Sequence, residues 1–140
     1  MRQQQRNTTM ARFARLLAPV MFRSATVRRM GMRDSMCHGD RLSPARAVGI
    51  LDDSIACVIG TDVFRSVHKI ERMDPLPCPV TIAWSQNDAF FPLATYRPVI
   101  RELMPQAKFI ELPGVGHVCM LDDPELAART ILEVTGAQTH

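Results

Sequence analysis

Over the first 72 residues the apolar positions recur at helical spacing, and from residue 79 onward β-favouring runs alternate with helical ones. A polar start over residues 1–7 gives way near Thr8 to a helical pattern punctuated by Pro19 and Gly31, which predicts two helices with a bend. The polar cluster around Gly39, residues 34–42, reads as a loop. Ser43 then offers an N-cap oxygen, and Pro44 stands where a helix tolerates a missing donor. The helix that follows has Val48, Leu51, Ile55, Val58 and Ile59 on one face, with Gly60 as its stop. A weaker helical stretch over residues 62–72 cannot pass Pro75, Pro77 and Pro79, which remove donors and exclude helical geometry before them.

The unbroken run Val80, Thr81, Ile82, Ala83, Trp84 has the pattern of a parallel strand buried on both faces, stopping at Ser85. Helical spacing returns from Pro92, with Leu93, Tyr96, Ile100 and Leu103 on one face and Pro105 as the close. Residues 108–112 predict a second strand, and Pro113, Gly114, Val115 and Gly116 a turn. Asp123 and Pro124 open a last helix with Ala127, Ile131 and Val134 on its face, ended by Gly136. The expected class is α/β: a mostly helical segment over residues 1–73, then a strand–helix–strand–helix unit with parallel strands over residues 74–140, with a crossover joining the strands.

Composition narrows this picture. With 140 residues, 46% of them hydrophobic, the chain can supply one modest domain with a core. Cysteines at 37, 57, 78 and 119 form no C-x-x-C pair, so neither a disulfide framework nor a structural metal site is expected, and a reducing cytoplasm is the default location. Arginines interrupt every long apolar run near the start, so no transmembrane segment is expected.

Charge is unevenly distributed. Residues 1–33 hold eight arginines and no acid, a charge of +8, whereas the remainder has nine basic and fourteen acidic residues, a charge of −5. Phe13, Leu16, Leu17, Val20, Met21 and Phe22 are interleaved with the arginines. An ordinary amphipathic helix is the preferred reading over a segment that binds a partner or an anionic surface, or a transit peptide. Nucleic acid is not an expected partner, because lysines and stacking aromatics do not join the arginines as in a nucleic-acid arm.

Two residues carry candidate chemistry. In a parallel sheet the loops leaving the carboxyl ends of the strands gather at one edge, where ligands bind. Asp88 and His117 each lie just past such an end, separated in sequence by one helix and one strand. Asp88 could accept a hydrogen bond from His117 Nδ1, fixing the tautomer that leaves Nε2 free as a base.

The segment PVTIAWSQNDAFFPL, from Pro79 to Leu93, resembles the acid loop of the α/β-hydrolase superfamily, and LPGVGHVCMLDDP, from Leu112 to Pro124, resembles its histidine loop. The resemblance covers residues 74–135, while residues 13–72 are similar to the cap or late-core region of such enzymes. It implies a partial α/β-hydrolase fold and hydrolysis of an ester, amide or related bond in a small-molecule substrate, with His117 as base, Asp88 as the acid member, and neither metal nor organic cofactor. In that fold the nucleophile precedes both residues on a G-x-S-x-G turn. The glycines here, at 31, 39, 49, 60, 114, 116 and 136, include no pair four positions apart, so the chain has no such elbow. The expectation is a truncated or split hydrolase with negligible turnover alone, open to self-association or to a complementing hydrolase half. The other reading is a non-catalytic interaction module that uses the basic amino-terminal helices.

Lesser candidates favour plainer roles. Cys37 beside His38 suggests a nucleophile and base, yet adjacent residues rarely face one another, and a solvated pair is preferred. Cys119 follows His117 closely and reads as a structural cysteine, and Ser85 stands where the acid loop often has glycine. Ser35 and Ser54 lack an elbow, while Asp52 and Asp53 with Glu71 or Asp74 read as a charged helix face.

Overall fold

The computed structural model describes residues 15–57 and 71–136. These fall into two compact units, one holding residues 15–31 and 39–57, the other residues 32–38 and 71–136. The stop at Gly60 and nearly all of the weaker helix over residues 62–72 lie outside the described residues, as do Val58 and Ile59.

In the first unit, residues 15–21 are helical, a turn follows, and helix α1 spans Ala25–Gly31. The break falls after Met21 and not at Pro19, which sits inside the helical stretch. Phe22, Arg23 and Ser24 form the bend, held by backbone bonds from Phe22 N to Ala18 O and from Arg28 N to Ser24 O. Arg28 is buried and donates through Nη1 to the carbonyls of Phe22 and Arg23, which the helix break leaves over, and through Nη2 to that of Asp40. Asp40 belongs to a single 3-10 turn, Gly39–Arg41, within the expected loop.

Helix α2 spans Pro44–Ala56, and its start matches expectation: Ser43 Oγ accepts from Arg46 N at 3.2 Å, with Pro44 in the first turn. Its packing differs from the predicted face. Ala47 is the fully buried position, Val48 and Leu51 are half-buried, and Ile55 is exposed. With the small Ala47 at the most buried position, the larger side chains lie toward the rim.

The second unit is a two-stranded parallel sheet with helices. Strand β1 spans Thr81–Ser85 and β2 spans Lys108–Leu112, paired from Thr81 opposite Lys108 to Ser85 opposite Leu112. Helix α3, Leu93–Leu103, joins them and lays its half-buried side, Leu93, Tyr96, Arg97, Ile100 and Leu103, toward the unit. Tyr96 stacks on Trp84, and the Arg97 guanidinium lies over the Phe109 ring while pairing with Glu111. That face of the sheet is therefore covered. Ala83 is exposed, so β1 is not buried on both faces as its composition suggested; two strands offer too small a sheet to be sandwiched along its length.

A short helix unforeseen in the sequence, α4 at Cys119–Asp122, follows the histidine directly, and helix α5 spans Pro124–Thr135. Asp123 caps α5 by accepting from Leu126 N, and Gly136 closes it with φ of 69°. Ala127 and Thr130 are its buried positions, while Ile131 and Val134 are exposed, which corrects the predicted face. Thr130 tolerates burial because its hydroxyl donates to Leu126 O.

Candidate functional site

The site is built where β1 and β2 end. The chain leaving β1 is bound to the chain leaving β2 by Gln86 N to Leu112 O at 2.9 Å and Asn87 N to Val115 O at 3.1 Å. Gln86 Oε1 also accepts from Gly114 N, whose residue has φ of 72°, a conformation that glycine adopts without strain. Trp84 Nε1 donates to Phe91 O at 3.0 Å and draws the far end of the acid loop back onto the strand. The two loops form one hydrogen-bonded framework.

Asp88 and His117 stand together on this framework, with Nδ1 of His117 2.9 Å from Oδ2 of Asp88. The other carboxylate oxygen, Oδ1, accepts from Phe90 N at 3.0 Å and Phe91 N at 2.8 Å. Both oxygens are thereby oriented, and a carboxylate that accepts two backbone N–H groups cannot swing away from the ring without breaking them. The Asp88 side chain is 8% exposed, whereas that of His117 is 37% exposed, so the orienting group is sheltered and the ring meets solvent.

Two aromatic rings flank the imidazole. Phe90 meets it edge-on with centroids 5.1 Å apart, and Phe91 is tilted at 5.5 Å. Phe91 in turn packs edge-on against Tyr96 of α3. These phenylalanines were not singled out in the sequence, although an aromatic pair just after an acid at a strand end is a usable signal. They restrict rotation of His117 and give the site apolar walls.

A third residue missed in the sequence is Asp122. Its side chain is almost completely buried and accepts from three backbone donors: Gly116 N at 2.7 Å, Cys37 N at 2.7 Å and His38 N at 2.6 Å. Val118 N also donates to Ser35 O at 2.9 Å. Gly116 approaches the Met36 backbone so closely that a Cβ there would lie 2.8 Å from Met36 Cα. Residues 35–38 are thus laid alongside the histidine loop, and Met36 is among the most buried side chains. The buried carboxylate ties the residue before His117 to the segment at residues 37–38.

The lesser candidates are also placed. Cys37 enters through its backbone and through Sγ, which lies 3.5 Å from Asn87 Nδ2, while His38 is held by its backbone N–H. Cys119 begins α4 and is half-buried, and Ser85 is buried at the end of β1. Ser54 Oγ donates to Ile50 O, a local helix bond. Asp52 pairs with Arg15, and Asp74 with Arg72 and Gln106.

Chemically, the arrangement can hold an imidazole in one tautomer and present its Nε2 beside apolar rings. No described helix is long and apolar enough to cross a membrane. Comparison of the chain with family models, curated proteins and solved structures gives no match.

Proposed function

We propose that Asp88 and His117 are the acid and base of a nucleophile–histidine–acid hydrolase of the α/β-hydrolase type, whose parent reaction is hydrolysis of an ester, amide or related bond in a small-molecule substrate. The supporting observation is the 2.9 Å contact between Nδ1 of His117 and Oδ2 of Asp88, placed where two parallel neighbouring strands end. In this reading Asp88 holds the ring with Nδ1 protonated, so that Nε2 takes the proton of the attacking hydroxyl or water and then returns it to the leaving group. Phe90 and Phe91 make the apolar wall against which the acyl or leaving group lies. The sequence has no G-x-S-x-G elbow, so this chain by itself lacks the nucleophile and turns over negligibly.

Nitrogen-resolved magnetic resonance of His117 tests the orientation. In the neutral ring the proton is expected on Nδ1, and Asp88→Asn is expected to weaken that preference. A proton on Nε2 in the wild-type neutral ring would leave no base facing outward and would end the reading. A serine-directed fluorophosphonate and an activated ester test the second part: labelling with rapid hydrolysis by the chain alone would contradict the absence of a nucleophile.

A further inference from the structure

The helical stretch over residues 15–21 has an unusual distribution of polarity. Its inward side holds Ala18, buried, and Arg15, paired with Asp52. Leu16, Leu17, Val20 and Met21, successive in angle around the helix, are 74%, 58%, 68% and 51% exposed. At 100° per residue these four span about 140° of the circumference, a full apolar stripe facing outward. An amphipathic helix of a globular unit normally buries such a stripe, and among the described residues nothing covers this one.

The charge carried by the same unit points to an occupant for it. In the same unit Arg23, Arg29, Arg41 and Arg46 are exposed. Of the acids described there, Asp52 is paired with Arg15 and Asp40 is partly buried, leaving Asp53 exposed. The sequence adds that residues 1–33 contain eight arginines and no acid. Guanidinium groups pair with phosphate oxygens, and leucine and methionine side chains partition into the boundary between head groups and acyl chains. We infer that this face docks on a bilayer surface rich in anionic phospholipid, with Leu16, Leu17, Val20 and Met21 inserted at the interface and the arginines on the head groups. The helix lies in the plane of the surface and does not cross it. The docking uses neither Asp88 nor His117 and stands independently of the hydrolase reading.

The test is co-sedimentation of the full chain with vesicles of pure phosphatidylcholine and of phosphatidylcholine doped with phosphatidylglycerol. Binding is expected to the doped vesicles alone and to weaken steeply as salt is raised. Leu16→Ser combined with Val20→Ser removes exposed side chains and so spares the fold; it is expected to lower affinity roughly tenfold. Arg23→Gln and Arg29→Gln are each expected to lower it about fivefold. Amide protection at Arg28 and Ala47, whose N–H groups are hydrogen-bonded within the same unit, serves as the folding control and is expected to be unchanged in all of these variants. Equal binding to neutral vesicles, no binding to the doped ones, or self-association in the absence of lipid that the Leu16 and Val20 changes abolish would each overturn the inference, the last by making a second copy of this chain the occupant.

Discussion

Asp122 shows how much of a site can depend on a residue with no chemical role of its own. Its carboxylate is the common acceptor for backbone donors at residues 37, 38 and 116, which flank the candidate base and its neighbouring segment. Removing one partner of a buried hydrogen bond costs more than the bond contributes, because the remaining donors stay desolvated. Asp122→Ala leaves three such donors, and a loss of about 3 kcal/mol or more is expected, a large share of the roughly 5–15 kcal/mol that holds a domain folded. Amide hydrogen exchange locates the effect: Cys37, His38 and Gly116 should lose protection first, and unchanged exchange at those amides would show that the carboxylate carries no such load. Gly116→Ala probes the same packing from the other side. Its Cβ would lie 2.8 Å from Met36 Cα and 3.1 Å from Ser35 O, both backbone atoms that cannot rotate aside, so a destabilisation of about 1–3 kcal/mol in urea unfolding is expected. The pairing of Asp88 with His117 was legible in the sequence because each lies a short turn beyond a β-favouring run. Asp122 was not, because its partners at Cys37 and His38 are 85 and 84 residues away and no local pattern encodes a contact at that separation.

Among the elements, those with unambiguous punctuation were the easiest to read. Strand β2 lies where the residues between Ala107 and Pro113 place it, and α2 and α5 begin at the Ser43–Pro44 and Asp123–Pro124 caps. The errors have physical causes. Pro19 did not break its helix, and helix α4 is a single turn, too short to show a period. In α5 the burial of Thr130 turned the inner face away from Ile131, because a self-satisfied hydroxyl can replace an aliphatic residue. Helix α3 contains Pro98 in its interior, where the ring supplies no donor to the carbonyl one turn earlier. Pro98 is exposed, so replacing it costs little packing. Pro98→Ala is therefore expected to raise stability by about 1–3 kcal/mol, measured as a higher midpoint of thermal unfolding. An unchanged or lower midpoint would show that the lost unfolded-state restraint outweighs the restored hydrogen bond.

At the scale of the whole molecule, the described residues of the second unit leave apolar surface and strand edges unpartnered among themselves. Among the described residues the sheet has two strands, each paired on one side only, and Ala83 on β1 is exposed where composition led one to expect burial on both faces. Strand composition reports β-preference and cannot report how many strands are available to share it, which is why the strands were legible and their covering was not. Open edges attract other strands, either those of a complementing segment or those of a second copy. Such association is apolar and backbone-driven, so it should persist as ionic strength rises, unlike docking through exposed arginines. Sedimentation velocity across a concentration series at low and high salt is expected to show association of this salt-insensitive kind. Ala83→Lys places a charge at an exposed position of β1 without filling any packed space, the device by which natural sheets discourage edge pairing. That variant is expected to remain monomeric at concentrations where the wild type associates and to leave the unfolding midpoint within about 0.5 kcal/mol of its original stability. If the lysine variant associated as readily as the wild type, the route would not run through the sheet, and the exposed side chains of the first unit would be the next surface to vary.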